Sequence, residues 1–102
     1  MIVRLHPEAA KELTHSVKWY FEQNQSAAAN FMNEIDRCIS KIIKSPEIFP
    51  QYFYGSQRAI LKTFPYAIIF RLIVDRVDII AIAHSKRRPG YWRRRSNKSG
   101  ET

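Results

Sequence analysis

The second half of the chain concentrates side chains that could cleave RNA without a metal ion. That reaction needs a base to activate the 2′-hydroxyl, cations to stabilise the charged phosphorane, and an acid for the leaving 5′-oxygen. His84, with an unperturbed pKa of about 6.5, could be the acid or the base, although a histidine ending a strand more often only forms a hydrogen bond. No complete acid–base pair is visible in the sequence. The residues predicted to carry this chemistry are Arg71, His84, Lys86, Arg87 and Tyr91, with Arg58 and Lys62 as phosphate contacts.

A second, overlapping group of basic and aromatic residues could bind a large anionic target. Trp92 could stack on a base, and the run 93–95 could contact phosphates. The competing interpretations are that Tyr91 and Trp92 anchor the C-terminus on a sheet and that the basic run is a solvated tail. The residues predicted to bind phosphate or a target are Arg58, Lys62, Lys86, Arg88, Trp92, Arg93, Arg94 and Arg95.

The charge of the chain is distributed unevenly. Its 102 residues carry a formal net charge of +8. Residues 1–57 are neutral overall, so residues 58–102 hold the entire excess. A basic half predicts a polyanionic partner, which could be nucleic acid or an acidic protein segment. The simpler alternative is a solvated basic face that only aids solubility.

Composition excludes several classes of protein. A hydrophobic content of 45% excludes a mostly disordered chain. The apolar runs are far shorter than the ~20 residues of a membrane span, and the start lacks the pattern of a signal peptide. We therefore expect a cytoplasmic protein without a membrane partner. The single cysteine and the irregularly spaced histidines predict no metal site and no cofactor. Glu8 and Glu12 are interpreted as partners of a helix dipole rather than as a catalytic carboxylate pair.

Hydrophobic periodicity predicts the elements that would position these residues. A strand at 2–5 precedes two amphipathic helices, of which the second is capped by Ser26 and ends at Ser45-Pro46. A loop rich in aromatic residues, 46–55, leads to the second half of the chain. That half contains three predicted strands, at 58–63, 66–73 and 77–84.

The predicted fold class is α+β with the element order β-α-α-β-β-β. The N-terminal helix hairpin is expected to pack on one face of a mostly antiparallel four-stranded sheet. We expect a single domain over 1–95 and a polar, flexible tail over 96–102. The residues predicted to be deeply buried are Leu13, Val17, Phe31, Ile35, Ile39, Leu61, Ile68, Phe70 and Ile79.

Strand alternation assigns the side chains of the second half to two faces. The apolar face is expected to cover the helices and comprises Ala59, Leu61, Tyr66, Ile68, Phe70, Leu72, Val77, Ile79, Ala81 and Ala83. The other face mixes charged residues with exposed isoleucines, which predicts a binding surface. Its members are Arg58, Ile60, Lys62, Ile69, Arg71, Ile73, Asp78, Ile80, Ile82 and His84.

An ordered set of segments across residues 3–95 resembles the RelE/ParE superfamily of type II toxin–antitoxin toxins, and most closely its ParE-like branch. The segments are Leu5-His6-Pro7-Glu8-Ala9, Val17-Lys18-Trp19-Tyr20, Ser45-Pro46-Glu47-Ile48-Phe49-Pro50, Arg58-Ala59-Ile60-Leu61-Lys62, Phe64-Pro65-Tyr66-Ala67-Ile68 and the stretch 83–92. The resemblance implies the same fold: a strand, a helix hairpin and three antiparallel strands. It also implies a growth-inhibiting toxin that a cognate antitoxin holds inactive.

The resemblance leaves the target open. ParE-like members inhibit DNA gyrase by binding, whereas RelE-like members are ribosome-dependent mRNA endonucleases. The nuclease branch places an arginine near Arg71, a Lys-Arg pair near Lys86-Arg87 and a tyrosine near Tyr91, so the match to it is partial. The resemblance therefore implies a ParE-like toxin that binds a target such as DNA gyrase. The alternatives are a ribonuclease acting on mRNA in the ribosome and a degenerate member that only binds an antitoxin.

Overall fold

The computed structural model describes residues 1–95, and the predicted tail at 96–102 lies outside the described residues. The element order confirms the predicted β-α-α-β-β-β arrangement. Two short 3₁₀ turns, Pro46–Ile48 and Phe53–Gly55, interrupt the aromatic loop. The regular elements are β1 (Ile2–Leu5), α1 (Pro7–Gln23), α2 (Gln25–Lys44), β2 (Gln57–Ile60), β3 (Tyr66–Ile73) and β4 (Arg76–His84).

Side-chain caps define where the two helices begin. The Nδ1 atom of His6 accepts a hydrogen bond of 3.0 Å from the Glu8 backbone N–H at the start of α1. Asn24 caps α2, because its Oδ1 atom accepts from the backbone N–H groups of Ser26 and Ala27 at 2.7 and 3.3 Å. The prediction that Ser26 caps this helix was wrong: Ser26 lies inside the first turn, and Asn24 supplies the acceptor.

The sheet is mixed, in the order β1-β4-β3-β2. Strand β1 runs parallel to β4, and the other two neighbouring pairs are antiparallel. The helix pair covers one face of the sheet. Neither helix within residues 1–95 combines the length and the apolar character that crossing a membrane requires.

The core between helices and sheet matches most of the predicted buried residues. Six of the nine are buried, and Leu13, Val17 and Ile39 are half-buried at its margin. The helical stripes therefore face the sheet as predicted. The confirmed core residues are Phe31, Ile35, Leu61, Ile68, Phe70 and Ile79.

A β-bulge in β4 overturns the predicted faces for the end of that strand. Ile69 pairs with Ala81 while Phe70 pairs with Ile79, so Ile80 has no partner on β3. One extra residue reverses the alternation of everything that follows it. Ile82 consequently joins the helix-side core, whereas Ala81 and Ala83 join a second cluster on the opposite face.

The face away from the helices is also covered, which corrects the prediction of exposed isoleucines there. Ile69 and Ile80 are each 1% exposed. Trp92, itself 1% exposed, packs against both in the second cluster. Of the isoleucines predicted for this face, Ile60 stays open to solvent, with 64% of its surface exposed. The interpretation that Tyr91 and Trp92 anchor the end of the chain on the sheet is confirmed for the described residues.

Candidate functional site

The structure separates Arg71 from His84, two of the residues predicted to act on one phosphate. His84 pairs with Tyr66, five residues before Arg71 on β3, which corresponds to about 17 Å at ~3.4 Å per residue. Arg71 also shares a face with Ile69 in the second cluster, whereas Tyr66 packs against the helix-side core. The two side chains therefore lie at opposite ends of the strand pair.

The guanidinium of Arg71 donates hydrogen bonds to two backbone carbonyl oxygens. Its Nη1 atom donates to the carbonyl oxygen of Arg95 at 3.3 Å, and its Nη2 atom donates to that of Tyr54 at 3.0 Å. Burial lowers the pKa of Arg71, and the charge of Asp78 opposes this shift. Arg71 thus ties the aromatic loop and the end of the described chain to the sheet.

Residues 85–95, which we call the C-terminal segment, fold back over the sheet. The Arg87 guanidinium lies 3.7 Å from the centre of the Tyr91 ring. Arg95 donates from Nη1 to the carbonyl oxygen of Ile80 at 3.2 Å, and its guanidinium lies 5.0 Å from the same tyrosine ring. The first contact thus braces the segment internally, and the hydrogen bond of Arg95 fixes its far end to β4.

Glu12 of α1 connects this segment to the rest of the fold. Its Oε2 atom accepts a 2.9 Å hydrogen bond from the Tyr91 hydroxyl and pairs with Nη2 of Arg95 at 2.9 Å. Its Oε1 atom accepts a 2.9 Å bond from the backbone N–H of Ile82, just beyond the bulge. We call this set of contacts the Glu12 clamp.

The interpretation of Glu12 as a helix-dipole partner missed this role. Ala9, Glu12 and Ser16 lie at helical spacing, and the structure buries both Ala9 and Ser16. A carboxylate on the buried side of an amphipathic helix needs a partner, and that pattern was the available signal. Its partners, Ile82, Tyr91 and Arg95, lie at least 70 residues away, so the sequence offered no way to name them.

Electrostatics within the clamp agree with its geometry. Burial, and then the charge of Glu12, raise the pKa of Tyr91 well above its usual range, so the phenol keeps the proton that it donates. Burial lowers the pKa of Arg95, but the hydrogen bond and charge of Glu12 outweigh that effect and raise it overall. Tyr91 is therefore a hydrogen-bond donor at neutral pH.

Four of the predicted residues line one open groove of about 440 Å³. We call it the Arg58 groove; its predicted members are Arg58, His84, Arg87 and Trp92, and its aliphatic members are Ile60, Leu61, Ala67, Ile69 and Ala83. The guanidinium of Arg58 lies 4.2 Å from the centre of the Tyr52 ring. That ring stacks on Trp92 with 5.5 Å between centroids and 23° between planes.

Two residues that line this groove each carry a buried N–H group that lacks an acceptor. Arg58 Nε and Trp92 Nε1 are both buried and form no hydrogen bond with the residues that the structure describes. A buried donor left unpaired costs about 1–3 kcal/mol. Most buried polar groups in native proteins are paired, so two unpaired donors in one groove call for an explanation.

The remaining predicted residues lie on the surface. The side chains of Lys62, Lys86, Arg88, Arg93 and Arg94 are exposed. The backbone N–H of Lys62 donates to Glu34 of α2. The guanidinium of Arg93 lies 5.4 Å from the Tyr54 ring. Four of these cations belong to the C-terminal segment, and Lys62 lies shortly after β2.

His84 uses its ring nitrogen within its own turn. The Nδ1 atom accepts a hydrogen bond of 3.1 Å from the backbone N–H of Lys86, and the ring meets that of Tyr66 edge-on at 5.0 Å. No group of three or more His, Cys, Asp or Glu side chains able to hold a metal ion exists within residues 1–95. Burial raises the pKa of the Cys38 thiol to about 11, as expected for a core cysteine.

Comparison with solved structures identifies the same fold elsewhere. A chain described as "Chromosomal ParDE TA system from P. aeruginosa" superposes with a TM-score of 0.66. The match covers 84% of this chain and 97% of that one, at 16% sequence identity. At this identity the likeness shows the fold alone. A comparison with curated protein sequences finds no match.

A family model gives a closer assignment. The model described as the ParE toxin of the type II toxin–antitoxin system, parDE, matches residues 3–89. That match spans both helices, all four strands and the first part of the C-terminal segment. The chain therefore belongs to the ParE toxin family of type II toxin–antitoxin systems.

Proposed function

We propose that this chain arrests growth by binding a macromolecular target, with DNA gyrase as the candidate, and that a cognate antitoxin neutralises it. The observation that carries this proposal is the separation of Arg71 from His84, described above. A protein that poisons by binding needs an exposed surface rather than an assembled set of catalytic groups. The site of action would be the cytoplasm, where DNA gyrase works.

The C-terminal segment has the properties of such a surface. Its exposed cations, Lys86, Arg87, Arg88, Arg93 and Arg94, are presented by a backbone that Trp92 and the Glu12 clamp fix to the sheet. A fixed basic surface suits an anionic target, such as an acidic protein face or the DNA that it holds. Several residues would contact the target, and a few of them would contribute most of the binding energy.

A partner with acidic and apolar side chains would fit the same half of the molecule. Ile60, Phe53 and Tyr54 are each at least half exposed beside the basic residues. We propose that the antitoxin supplies this partner segment. Its binding would weaken with salt without being lost, because salt screens the charges but does not screen apolar burial.

Expression of the chain alone tests the proposed activity. The chain is placed under a tight promoter without its antitoxin, and growth, plasmid supercoiling and protein synthesis are followed separately. We expect growth arrest and loss of negative supercoiling while translation continues in the first minutes. Early mRNA cleavage in the ribosome would instead favour the ribonuclease, and unimpaired growth would favour the degenerate member. Co-expression of the adjacent gene's product should restore growth if it is the antitoxin.

Matched variants separate binding from catalysis. The double replacement Arg88→Glu, Arg94→Glu reverses two exposed charges on the proposed surface and should abolish toxicity. His84→Asn keeps an acceptor for the Lys86 N–H but removes the imidazole, so it should leave toxicity largely intact. Truncation after Pro89 is a poor test, because it removes the buried Trp92 and with it part of the core.

A further inference from the structure

We propose that the Arg58 groove recognises a carboxylate side chain within an acidic, partly apolar peptide segment. The proposal rests on the function above only for the origin of that peptide, which would be the antitoxin. The groove itself is defined by its charge, its unpaired donors and its aliphatic floor. These three features point to the same ligand.

The charge of the groove is of one sign. Arg58 and Arg87 line it, and no Asp or Glu is among its lining residues within the described chain. A neighbouring cavity of about 470 Å³ between α1 and β4 differs, because Glu8 and Glu12 offset its cations. A concave surface with uncompensated cations attracts an anion. Of the two cavities, the Arg58 groove is therefore the anion site.

The unpaired donors specify the chemistry of that anion. Arg58 Nε and Trp92 Nε1 each need an acceptor, and both belong to the stack in which Tyr52 lies against the indole. A carboxylate provides two acceptor oxygens and no competing donor. The contact found for the Arg58 guanidinium is the ring face of Tyr52, which leaves it able to turn toward an incoming oxygen. Both nitrogens are buried, so a carboxylate would pair them once the Arg58 guanidinium turns away from the Tyr52 ring.

The aromatic rings favour a peptide over a nucleic acid. A base needs a free ring face on which to stack. Tyr52 is already in contact with Trp92 and Arg58. The Tyr91 ring is in contact with the guanidinium of Arg87 and lies near that of Arg95. The aliphatic floor beside Ile60, in contrast, offers contacts to apolar side chains flanking an acidic one.

The two tryptophans of the chain provide a direct test. Trp92 lies in the groove, whereas Trp19 is 52% exposed on α1 and serves as the internal reference. The full chain is labelled with ¹⁵N and titrated with a capped hexapeptide, Gly-Leu-Glu-Leu-Glu-Gly. We expect a saturable downfield shift of the Trp92 indole N–H signal and none of the Trp19 signal. The same peptide with Gln in place of Glu should bind about 10- to 100-fold more weakly.

Variants assign the effect to the arginine. Arg58→Ala should weaken binding about 10- to 100-fold. Arg58→Lys keeps the charge but removes the Nε–H group, and it should still weaken binding about 10-fold. Arg4→Ala removes an exposed arginine of β1, at the sheet edge opposite β2 and its Arg58, and should change affinity less than twofold. The amide spectrum of each variant reports whether the fold is intact.

Several outcomes would overturn the proposal. They are an unmoved Trp92 signal, equal binding of the Glu and Gln peptides, and unchanged affinity in both Arg58 variants. A shift produced by inorganic phosphate at matched ionic strength, with none from the peptide, would mark a simple anion site. A shift with hexauridylate alone would mark a nucleic-acid groove. This test contains no growth assay. The groove proposal can therefore fail while the proposed toxicity stands, and the proposed toxicity can fail while the groove proposal stands.

Discussion

Replacing Glu12 with glutamine should loosen the C-terminal segment from the sheet. The carboxylate holds the Tyr91 hydroxyl, the Arg95 guanidinium and the Ile82 N–H, and the side chains of Glu12 and Arg95 are each 17% exposed. Hydrogen bonds to charged groups contribute about 1.5–3 kcal/mol each. Glutamine keeps the shape and one acceptor oxygen but loses the charge. We therefore expect the free energy of unfolding to fall by about 2–3 kcal/mol.

Alanine at the same position should cost more. It removes every acceptor and leaves the largely buried Arg95 without its carboxylate partner, for which about 3–5 kcal/mol is typical. Such losses are large for a domain of this size, whose total stability is of order 5–15 kcal/mol. Urea unfolding followed by tryptophan fluorescence measures both variants, with the slope of the transition checked for constancy.

Glu8 on the same helix is the matched control. It pairs with Lys11 at 3.4 Å, and the side chains of the two are 49% and 76% exposed. Exposed pairs of this kind contribute little, so Glu8→Gln should change stability by less than about 0.5 kcal/mol. A Glu12→Gln variant no less stable than Glu8→Gln would refute the clamp.

A double-mutant cycle isolates the bond between Tyr91 and Glu12. Tyr91→Phe alone should cost about 1.5 kcal/mol, and combining it with Glu12→Gln should reveal a coupling of about 1 kcal/mol. Because the folded pKa of Tyr91 is raised, the phenol form stabilises the fold below the unfolded pKa of about 10, and that stability is lost as pH rises further. The deficit of Tyr91→Phe should therefore narrow above pH 10.

Three further predictions concern backbone and caps. Val74 is a β-branched residue at φ 53° in the β3–β4 turn. Val74→Gly should therefore raise the free energy of unfolding by about 1 kcal/mol, measured by urea unfolding. Gly90→Ala should lower the melting temperature, because φ is 90° and a Cβ atom would lie 2.5 Å from Cε2 of Tyr54. Gly55→Ala, at φ 71°, carries the backbone strain without that contact and should lower it less. Burial lowers the pKa of His6, so the neutral ring that caps Glu8 stabilises the fold above about pH 6.5 and this stability is lost as pH falls through the folded pKa. His6→Asn keeps a capping oxygen, so its stability relative to wild type should rise on acidification below pH 6.5; an unchanged difference would contradict the assignment.

The sequence was informative where one face of an element is clearly apolar. The stripe containing Phe31, Ile35 and Ile42 predicts α2 and its buried side, and the structure agrees. The β-rich runs likewise predict β3 and β4. These elements follow from local periodicity, which a single sequence displays in full.

The sequence did not indicate which face of a strand meets the helices where both faces are apolar. Residues 79–83 read Ile-Ile-Ala-Ile-Ala, so no polar residue marks which side faces the helices. The bulge at Ile80 cannot be read from such a run, and the faces of Ile82 and Ala83 were assigned in reverse. The prediction of a free binding face failed for a related reason, because Trp92 lies far along the chain from the surface that it covers.

The candidate site was predicted by residue type but not by geometry. Arg58, His84, Arg87 and Trp92 line one groove. Arg71 does not join them, because its distance along β3 and its face both separate it from His84. Local patterns name candidate cations, but only the strand register decides which of them meet.

The central claim, that this chain acts by binding its target, is tested most directly with purified components. The chain is added to DNA gyrase and relaxed plasmid, and negative supercoiling is followed with and without Arg88→Glu, Arg94→Glu. We predict that the wild-type chain blocks supercoiling and that the charge-reversed variant, shown to be folded, does not. Unimpaired supercoiling by gyrase, together with cleavage of mRNA on purified ribosomes that His84→Asn abolishes, would contradict the account.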